Sequence, residues 1–212
     1  IIGLGYVGLP LAIEFEKKFK VVGFDTNKKR VLELQNGYDR TNEINKENLL
    51  SLKNLKFSSN KDSIDKSNIY IVTVPTPVDN NKVPDLKPLI SATKVVGEFI
   101  KEDNIIIYES TVYPGCTEEI CVPILEKESE MKYNQDFFCG YSPERINPGD
   151  RKRSLTKITK ITSGSTSEIS DFIANLYNEI ITAGVFKASS IAVAEAAKVI
   201  ENIQRDVNIA LI

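Results

Sequence analysis

The glycine spacing in the first ten residues, IIGLGYVGLP, constrains this chain more than any other feature. Gly3-x-Gly5-x-x-Gly8 follows two apolar residues typical of a strand end, and apolar residues then recur at helical spacing up to Phe19. The next apolar run, VVGFD, is predicted to be a buried strand that ends at Asp25, 22 positions after Gly3. The segment therefore predicts a strand, a tight turn, a helix and a second strand.

This order is typical of a Rossmann unit that binds a dinucleotide. Gly3 makes the turn, Gly5 lets the backbone approach a pyrophosphate, and Gly8 lets the helix pack closely on the strand. A carboxylate at the position of Asp25 accepts hydrogen bonds from ribose hydroxyls and repels a 2′-phosphate, so it favours NAD over NADP. The cations at 28–30 favour NADP instead, and we give Asp25 more weight because it ends the strand. The alternative is a tight turn that binds nothing.

The rest of the chain alternates short apolar runs with longer helical patterns. This alternation predicts an α/β fold, a Rossmann-like doubly wound and mostly parallel sheet with helices on both faces. A turn cluster is predicted at 79–81. The last helix begins near residue 189 and shows no stop signal before Ile212, so we expect the chain to be a fragment cut within that helix. Strands are predicted within 68–77, 104–110, 137–141, 157–165 and 183–188. Helices are predicted within 27–37, 86–101, 118–129, 167–177 and 189–212.

Composition excludes several classes of function. A net charge of −2 gives no reason to expect nucleic acid or an anionic membrane as a partner, and no apolar run is long enough to span a bilayer. The chain has no histidine, and its three cysteines form no Cys-x-x-Cys pair, so no zinc site and no histidine-dependent triad is expected. Sparse cysteines fit a reduced cytoplasmic protein, and we predict buried, unreactive thiols.

Three proline-containing loops follow predicted strands and are candidates for the chemistry. They are VPTP at 74–77, ESTVYPG at 109–115 and SPERINPG at 142–149. Because the carboxyl ends of parallel strands meet at one sheet edge, these loops are expected to converge beside the glycine turn. In the last helix, Lys198, Asn202 and Asp206 share a face. Considered alone, each loop is also consistent with a proline turn whose hydroxyls cap a helix. The polar face of the last helix is also consistent with a face exposed to solvent.

Together, GLGYVGLP, the strand-ending Asp25, VPTP, ESTVYPGCTEE, GYSPERINPGD and AEAAKVIENIQRD resemble the nucleotide-sugar (UDP-glucose/GDP-mannose) 6-dehydrogenases. The resemblance spans the chain and is closest to the UDP-N-acetylgalactosamine/UDP-N-acetylglucosamine branch. After Ser-Pro-Glu, UDP-glucose dehydrogenases continue with Phe and a further Glu, whereas this chain has Arg-Ile-Asn-Pro-Gly. This difference favours an N-acetylated sugar and leaves the gluco and galacto epimers open.

The resemblance implies NAD-dependent oxidation of the sugar C6 hydroxymethyl group to a carboxylate, in two steps that use two NAD, for surface polysaccharide biosynthesis. It implies an NAD-binding domain over 1–187, the start of a central dimerisation helix over 188–212, and a C-terminal domain absent from this chain. It also implies a homodimer. The implied catalytic residues are Lys198, Glu144, Asn202 and Thr111, and the implied cofactor-binding residues are Gly3, Gly5, Tyr6, Val7, Gly8, Asp25, Arg30, Pro75, Thr76 and Thr111, with no metal.

The second oxidation step in this family uses a cysteine nucleophile from a glycine-rich motif that does not occur here. Cys116 does not match that position, so the fragment is expected to be inactive alone. Three alternatives remain: a UDP-glucose 6-dehydrogenase, a β-hydroxyacid dehydrogenase with a Lys-x-x-x-Asn helix, and a non-catalytic NAD-binding module. The VPTP and SPERINPG loops argue against the second of these.

Overall fold

The computed structural model describes residues 1–78, 81, 83–145 and 155–212. Most of the predicted turn at 79–81, and residues 146–149 of the SPERINPG loop, lie outside these ranges. The strands are β1 Val21–Phe24, β2 Leu55–Ser58, β3 Ile69–Val72, β4 Asn104–Tyr108, β5 Phe137–Tyr141, β6 Lys160–Gly164 and β7 Val185–Lys187. The α-helices are α1 Gly8–Glu16, α2 Lys28–Gln35, α3 Lys46–Ser51, α4 Lys87–Gly97, α5 Val122–Ser129, α6 Ser167–Asn178 and α7 Ile191–Ala210.

The sheet is parallel except at one pair of strands. β1 pairs with β2, and β3, β4 and β5 pair in chain order, all in parallel, whereas β6 runs antiparallel to β5 and parallel to β7. Ile2 forms parallel bridges to both Phe24 and Val72, so the first residues join the two parts of the sheet. The resulting order, β2, β1, Ile2, β3, β4, β5, confirms the predicted doubly wound sheet.

Helices cover both faces of this sheet. On one face, Leu11 and Phe15 of α1 pack in a buried cluster with Ile173 and Tyr177 of α6. On the other face, α4, α5 and the start of α7 bury a second cluster, to which Leu89, Val96, Leu125 and Ile191 contribute. Strands buried on both faces are nearly continuous apolar runs, as NIIIY in β4 illustrates.

Two elements, α3 and β2, were not predicted from the sequence. The side chain of Asn45 accepts a hydrogen bond from the backbone N–H of Asn48 and caps α3, which is only six residues long. β2 pairs along its whole length with β1 on the outer edge of the sheet, and only Leu55 is buried in it. A four-residue edge strand with mixed polarity gives a weak periodic signal, so tertiary pairing decides its conformation.

Ser190 precedes helix α7 as its N-cap, and its hydroxyl accepts a hydrogen bond from the backbone N–H of Val193. Ile191, Ala194 and Glu195 are buried, whereas Ile200 and Ile203 are exposed. The helix therefore packs on the sheet through its first turns and extends past it. Within the described ranges, none of the helices combines the length and the apolar character that a membrane crossing needs.

Candidate active site

The glycine turn has the geometry that its spacing predicts. Gly3 adopts φ +97°, a conformation that side-chain-bearing residues rarely take. A Cβ on Gly8 would lie 2.0 Å from the backbone oxygen of Gly3 and 2.4 Å from the hydroxyl of Thr73. That hydroxyl donates to the Gly3 oxygen at 2.8 Å and ties the turn to the end of β3. Internal packing therefore requires glycine at positions 3 and 8.

Gly5 differs from its two neighbours in the motif. A Cβ built on Gly5 meets no atom within 4 Å, so nothing inside the described protein requires a glycine there. The open space lies beside the first turn of α1, whose backbone N–H groups carry a partial positive charge. A phosphate approaching the backbone at this point accounts for the glycine, so the site fits a dinucleotide.

Asp25 follows β1 and faces the same cleft. One carboxylate oxygen accepts a hydrogen bond from the N–H of Leu4 at 2.9 Å, and the other accepts one from Asn27 at 2.8 Å. These bonds connect the carboxylate to the glycine turn and fix its orientation. Arg30, predicted to lie near the cofactor, is buried behind the turn, where Nε donates to the Leu4 oxygen and the guanidinium pairs with Asp39 at 2.8 Å.

The loops after β3 and β4 are bonded to each other beside the turn. The hydroxyl of Thr76 donates to the backbone oxygen of Thr111 at 2.6 Å, and that of Ser110 donates to the oxygen of Val74 at 2.7 Å. Both loops line one cleft of about 800 Å³ together with the glycine turn. Its lining includes the predicted site residues Gly3, Gly5, Tyr6, Val7, Asp25, Pro75, Thr76, Thr111, Glu144 and Lys198.

Two further predicted residues, Gly8 and Asn202, do not line the cleft. Gly8 serves the packing of α1 described above. Asn202 lies one helical turn beyond Lys198 on α7 and is partly exposed. Lys198 itself reaches back to the sheet, where its amine donates to the backbone oxygen of Glu144. Burial lowers the pKa of Lys198, so its amine is easier to deprotonate than that of a surface lysine.

A buried charge cluster at the bottom of the cleft was not predicted. Glu109 follows β4 directly and pairs with Lys160 at 2.7 Å, and the same ammonium lies 3.4 Å from a carboxylate oxygen of Glu144. The hydroxyl of Tyr177 donates to the other oxygen of Glu109. Because β6 runs antiparallel to β5, its first residue, Lys160, lies at the edge where β4 and β5 end. The feature of the sequence that could have indicated this cluster is the carboxylate of Glu109, directly after β4.

The cluster raises the pKa of both Glu109 and Lys160. Burial raises the pKa of Glu109 to about 7, although the Lys160 ammonium opposes this shift. Burial lowers the pKa of Lys160, but the charges of Glu109 and Glu144 outweigh it and leave that pKa above its usual value. A carboxylate that titrates near neutral pH in a cleft is a candidate for proton handling.

Glu195 was also not predicted. Its buried carboxylate accepts hydrogen bonds from the N–H groups of Gly115 at 2.5 Å and Thr117 at 2.9 Å. These bonds hold the loop after β4 against α7.

The nearby Cys116 is buried, as are Cys121 and Cys139, and all three thiols are free, which confirms the prediction of buried thiols. Its hydrogen bond with Cys121 and its burial raise the pKa of Cys116 far above its usual value, so it is a poor nucleophile.

A doubly wound sheet, a glycine turn at a helix start and a strand-ending carboxylate define a Rossmann-type dinucleotide-binding domain. Residues 1–181 match the model of the UDP-glucose/GDP-mannose dehydrogenase family, NAD binding domain. The chain therefore belongs to this family, and its cofactor is NAD.

Individual relatives agree with this assignment. The chain is 61% identical to the UDP-N-acetyl-D-glucosamine 6-dehydrogenase of Salmonella typhi and 59% identical to that of Pseudomonas aeruginosa, over all of this chain and 50% of each relative. It superposes on the UDP-D-ManNAc dehydrogenase of Pyrococcus horikoshii with a TM-score of 0.92 at 32% identity, over all of this chain and 51% of that one. The predicted resemblance to the UDP-N-acetylhexosamine branch is confirmed. The chain spans about half the length of the curated relatives it matches.

Proposed function

We propose that the protein carrying this chain oxidises the C6 hydroxymethyl group of UDP-N-acetyl-D-glucosamine to a carboxylate with NAD. The observation that carries this proposal is the meeting of Lys198 and Glu144 in the cleft that the glycine turn lines. The printed names of the two relatives at 59% and 61% identity support the choice of sugar. UDP-N-acetylgalactosamine and UDP-glucose are the alternative substrates, and a non-catalytic NAD-binding module is the alternative function.

The cofactor is proposed to lie along the glycine turn. Gly5 leaves room for the pyrophosphate, and Asp25 accepts hydrogen bonds from the ribose hydroxyls. Tyr6, Val7, Pro75 and Thr76 line the same part of the cleft. Bound NAD supplies the hydride acceptor of the reaction. Arg30 is also proposed to lie near the cofactor, and its Nε donates to the Leu4 backbone oxygen of the turn.

Alcohol oxidation also needs a group that takes up a proton and a group that balances the charge of the alkoxide. Glu144 is proposed as the acid/base carboxylate, and Lys198 as the cation beside the developing oxyanion. Thr111 is proposed to help order a water molecule, and Asn202 to act beside Lys198. Cys116 has no role in this scheme. The family resemblance assigns the second oxidation step to a cysteine outside this chain.

Three further properties are proposed from the resemblance and the composition. The protein acts in the synthesis of surface polysaccharides, it forms a homodimer through α7, and it lies in the cytoplasm. The exposed apolar side chains of Ile200, Ile203 and Val207 share one face of α7 and support the second of these, since a helix face of this kind is usually covered by another surface.

The proposed substrate is tested by initial rates of NADH formation, measured by absorbance, with the complete protein. UDP-N-acetylglucosamine, UDP-N-acetylgalactosamine and UDP-glucose are compared at equal concentration. We expect the highest kcat/KM with UDP-N-acetylglucosamine. A higher value with either other sugar would replace the proposed substrate and leave the reaction class in place.

A further inference from the structure

Lys160 is shared between two carboxylates that both line the cleft. Its ammonium is 2.7 Å from Glu109 and 3.4 Å from Glu144, and the side chains of Glu109 and Lys160 are 0% and 4% exposed. A structural ion pair does not need to face a substrate cleft, but Glu109 lines this one directly. The pair therefore lies between the sheet and the group proposed to carry the proton.

We propose that Glu109 is a positioning residue for the sugar oxidation: it binds the Lys160 ammonium that also lies beside Glu144 and, through its own charge, sets the pH at which Glu144 takes up a proton. This inference rests on the proposed function, because it concerns the acid/base role given there to Glu144.

The effect follows from the charges that meet in the cluster. When Glu109 is ionised, it draws Lys160 toward itself and also repels the charge on Glu144, so both contributions make Glu144 easier to protonate. When Glu109 is neutral, the whole ammonium charge acts on Glu144, which then loses its proton at lower pH. These influences are strong because the cluster is buried, where water screens charges little.

Other titratable groups face the cluster from the elements packed around it. From α6, Tyr177 donates to Glu109, and its ring lies 5.5 Å from the Lys160 ammonium. From β5, Tyr141 donates to the backbone oxygen of Ser110 at 3.1 Å. From α7, Lys198 contacts the backbone oxygen of Glu144. Next to Glu144, Arg145 pairs with Glu201 of α7 at 3.1 Å. Burial raises the pKa of both tyrosines above the usual range, so they stay neutral, and among the described residues Glu109, Lys160, Glu144, Lys198 and the Arg145–Glu201 pair carry the charges around the cluster.

The test compares pH profiles of kcat in the complete protein with NAD and UDP-N-acetylglucosamine. Glu144→Gln first identifies the limb of the profile that belongs to Glu144, because that limb disappears in the variant. We expect Glu109→Gln to move this limb to lower pH by about one unit, and Lys160→Met to move it to higher pH by a similar amount. If the pair of Glu109 and Lys160 were only structural, the two variants would lower the activity but would not move the limb in opposite directions.

Tyr177→Phe is a second variant that tests the same inference if Lys160→Met does not fold. The variant removes only the hydroxyl that stabilises the charged form of Glu109, so it is expected to move the limb in the same direction as Glu109→Gln, by less. Asp171→Asn is the matched control, because Asp171 lies on α6 like Tyr177 and forms an exposed pair with Lys187 of β7. It should leave the profile unchanged.

An unmoved limb in Glu109→Gln and Tyr177→Phe, with an active wild-type protein, would overturn this inference alone. Absence of NADH formation by the wild-type protein with every UDP-hexosamine would overturn the proposed function and this inference with it. The activity of the wild-type protein therefore separates the two failures.

Discussion

The amine of Lys198 donates a hydrogen bond to the backbone oxygen of Glu144, a residue 54 positions earlier in the chain. The contact joins α7 to the loop after β5 and puts a cation beside the proposed acid/base residue. It lies just beyond the buried first turns of α7, to which Ile191, Ala194 and Glu195 contribute. The roles proposed for the two residues can be tested separately.

Replacing Lys198 by alanine in the complete protein should lower kcat by about 10²- to 10³-fold, because loss of an oxyanion donor typically costs that much. The affinity for NAD should stay within a few-fold, since Asp25 and the glycine turn are not altered. Steady-state rates and calorimetric titration of NAD measure the two quantities. Lys127→Ala, an exposed lysine on α5, is the control. Turnover of Lys198→Ala within a few-fold of wild type would contradict the role.

The glycine turn gives a matched pair of variants. Gly8→Ala puts a Cβ against the Gly3 oxygen, so we expect a loss of about 1–3 kcal/mol in the free energy of unfolding. Gly5→Ala meets no atom within 4 Å and should unfold at the wild-type temperature, yet bind NAD at least about tenfold more weakly. Thermal unfolding and calorimetry measure the two effects. Wild-type NAD affinity in Gly5→Ala would show that no ligand approaches the backbone there.

Much of the cofactor region could be predicted from the sequence because its signals are local. The Gly3, Gly5 and Gly8 spacing, the strand-ending Asp25 and the Pro75 loop lie within short segments, and the fold brings each of them to one cleft. The pairing of Arg30 with Asp39 could not be predicted, because it depends on a turn that the residue pattern does not specify.

Asp25 is expected to decide between the two dinucleotides. Asp25→Ala loses an acceptor that is charged, and hydrogen bonds to charged groups contribute about 1.5–3 kcal/mol, so NAD should bind about tenfold to a hundredfold more weakly. Asp25→Asn keeps the shape and loses the charge, and should narrow the difference between the dissociation constants of NAD and NADP. Calorimetry with each dinucleotide gives both values. Unchanged discrimination in Asp25→Asn would assign Asp25 to support of the turn through Leu4 and Asn27.

The raised pKa of Glu109 predicts that the free energy of unfolding depends on pH. Its pKa is raised to about 7 in the folded chain, above the value of about 4.3 for an unperturbed glutamate. The folded state therefore holds more protons between these values, and stability falls as the pH rises through that window, by at most about 1.4 kcal/mol per pH unit. Glu109→Gln should remove this component. Denaturant unfolding from pH 5 to pH 7.5 measures it, and an equal slope in both proteins would contradict the shift.

The charge cluster illustrates what sequence patterns leave out. Lys160 begins a strand in which a charged residue usually faces solvent, and nothing nearby in the sequence pairs with it. Its carboxylate partners, Glu109 and Glu144, are 51 and 16 residues away, and the antiparallel direction of β6 brings them together. A reversal of one strand in a parallel sheet leaves no clear mark in hydrophobic periodicity, so the pairing emerges only from the folded chain.

The most direct test of the proposed oxidation is the amount of NADH formed per UDP-N-acetylglucosamine consumed by the complete protein. Absorbance measures NADH, and chromatography of the sugar nucleotide measures substrate and acid product. Two NADH for each sugar, with a carboxylate product, is the predicted result. Binding of NAD without NADH formation from any UDP-hexosamine would contradict the account and favour a non-catalytic NAD-binding module.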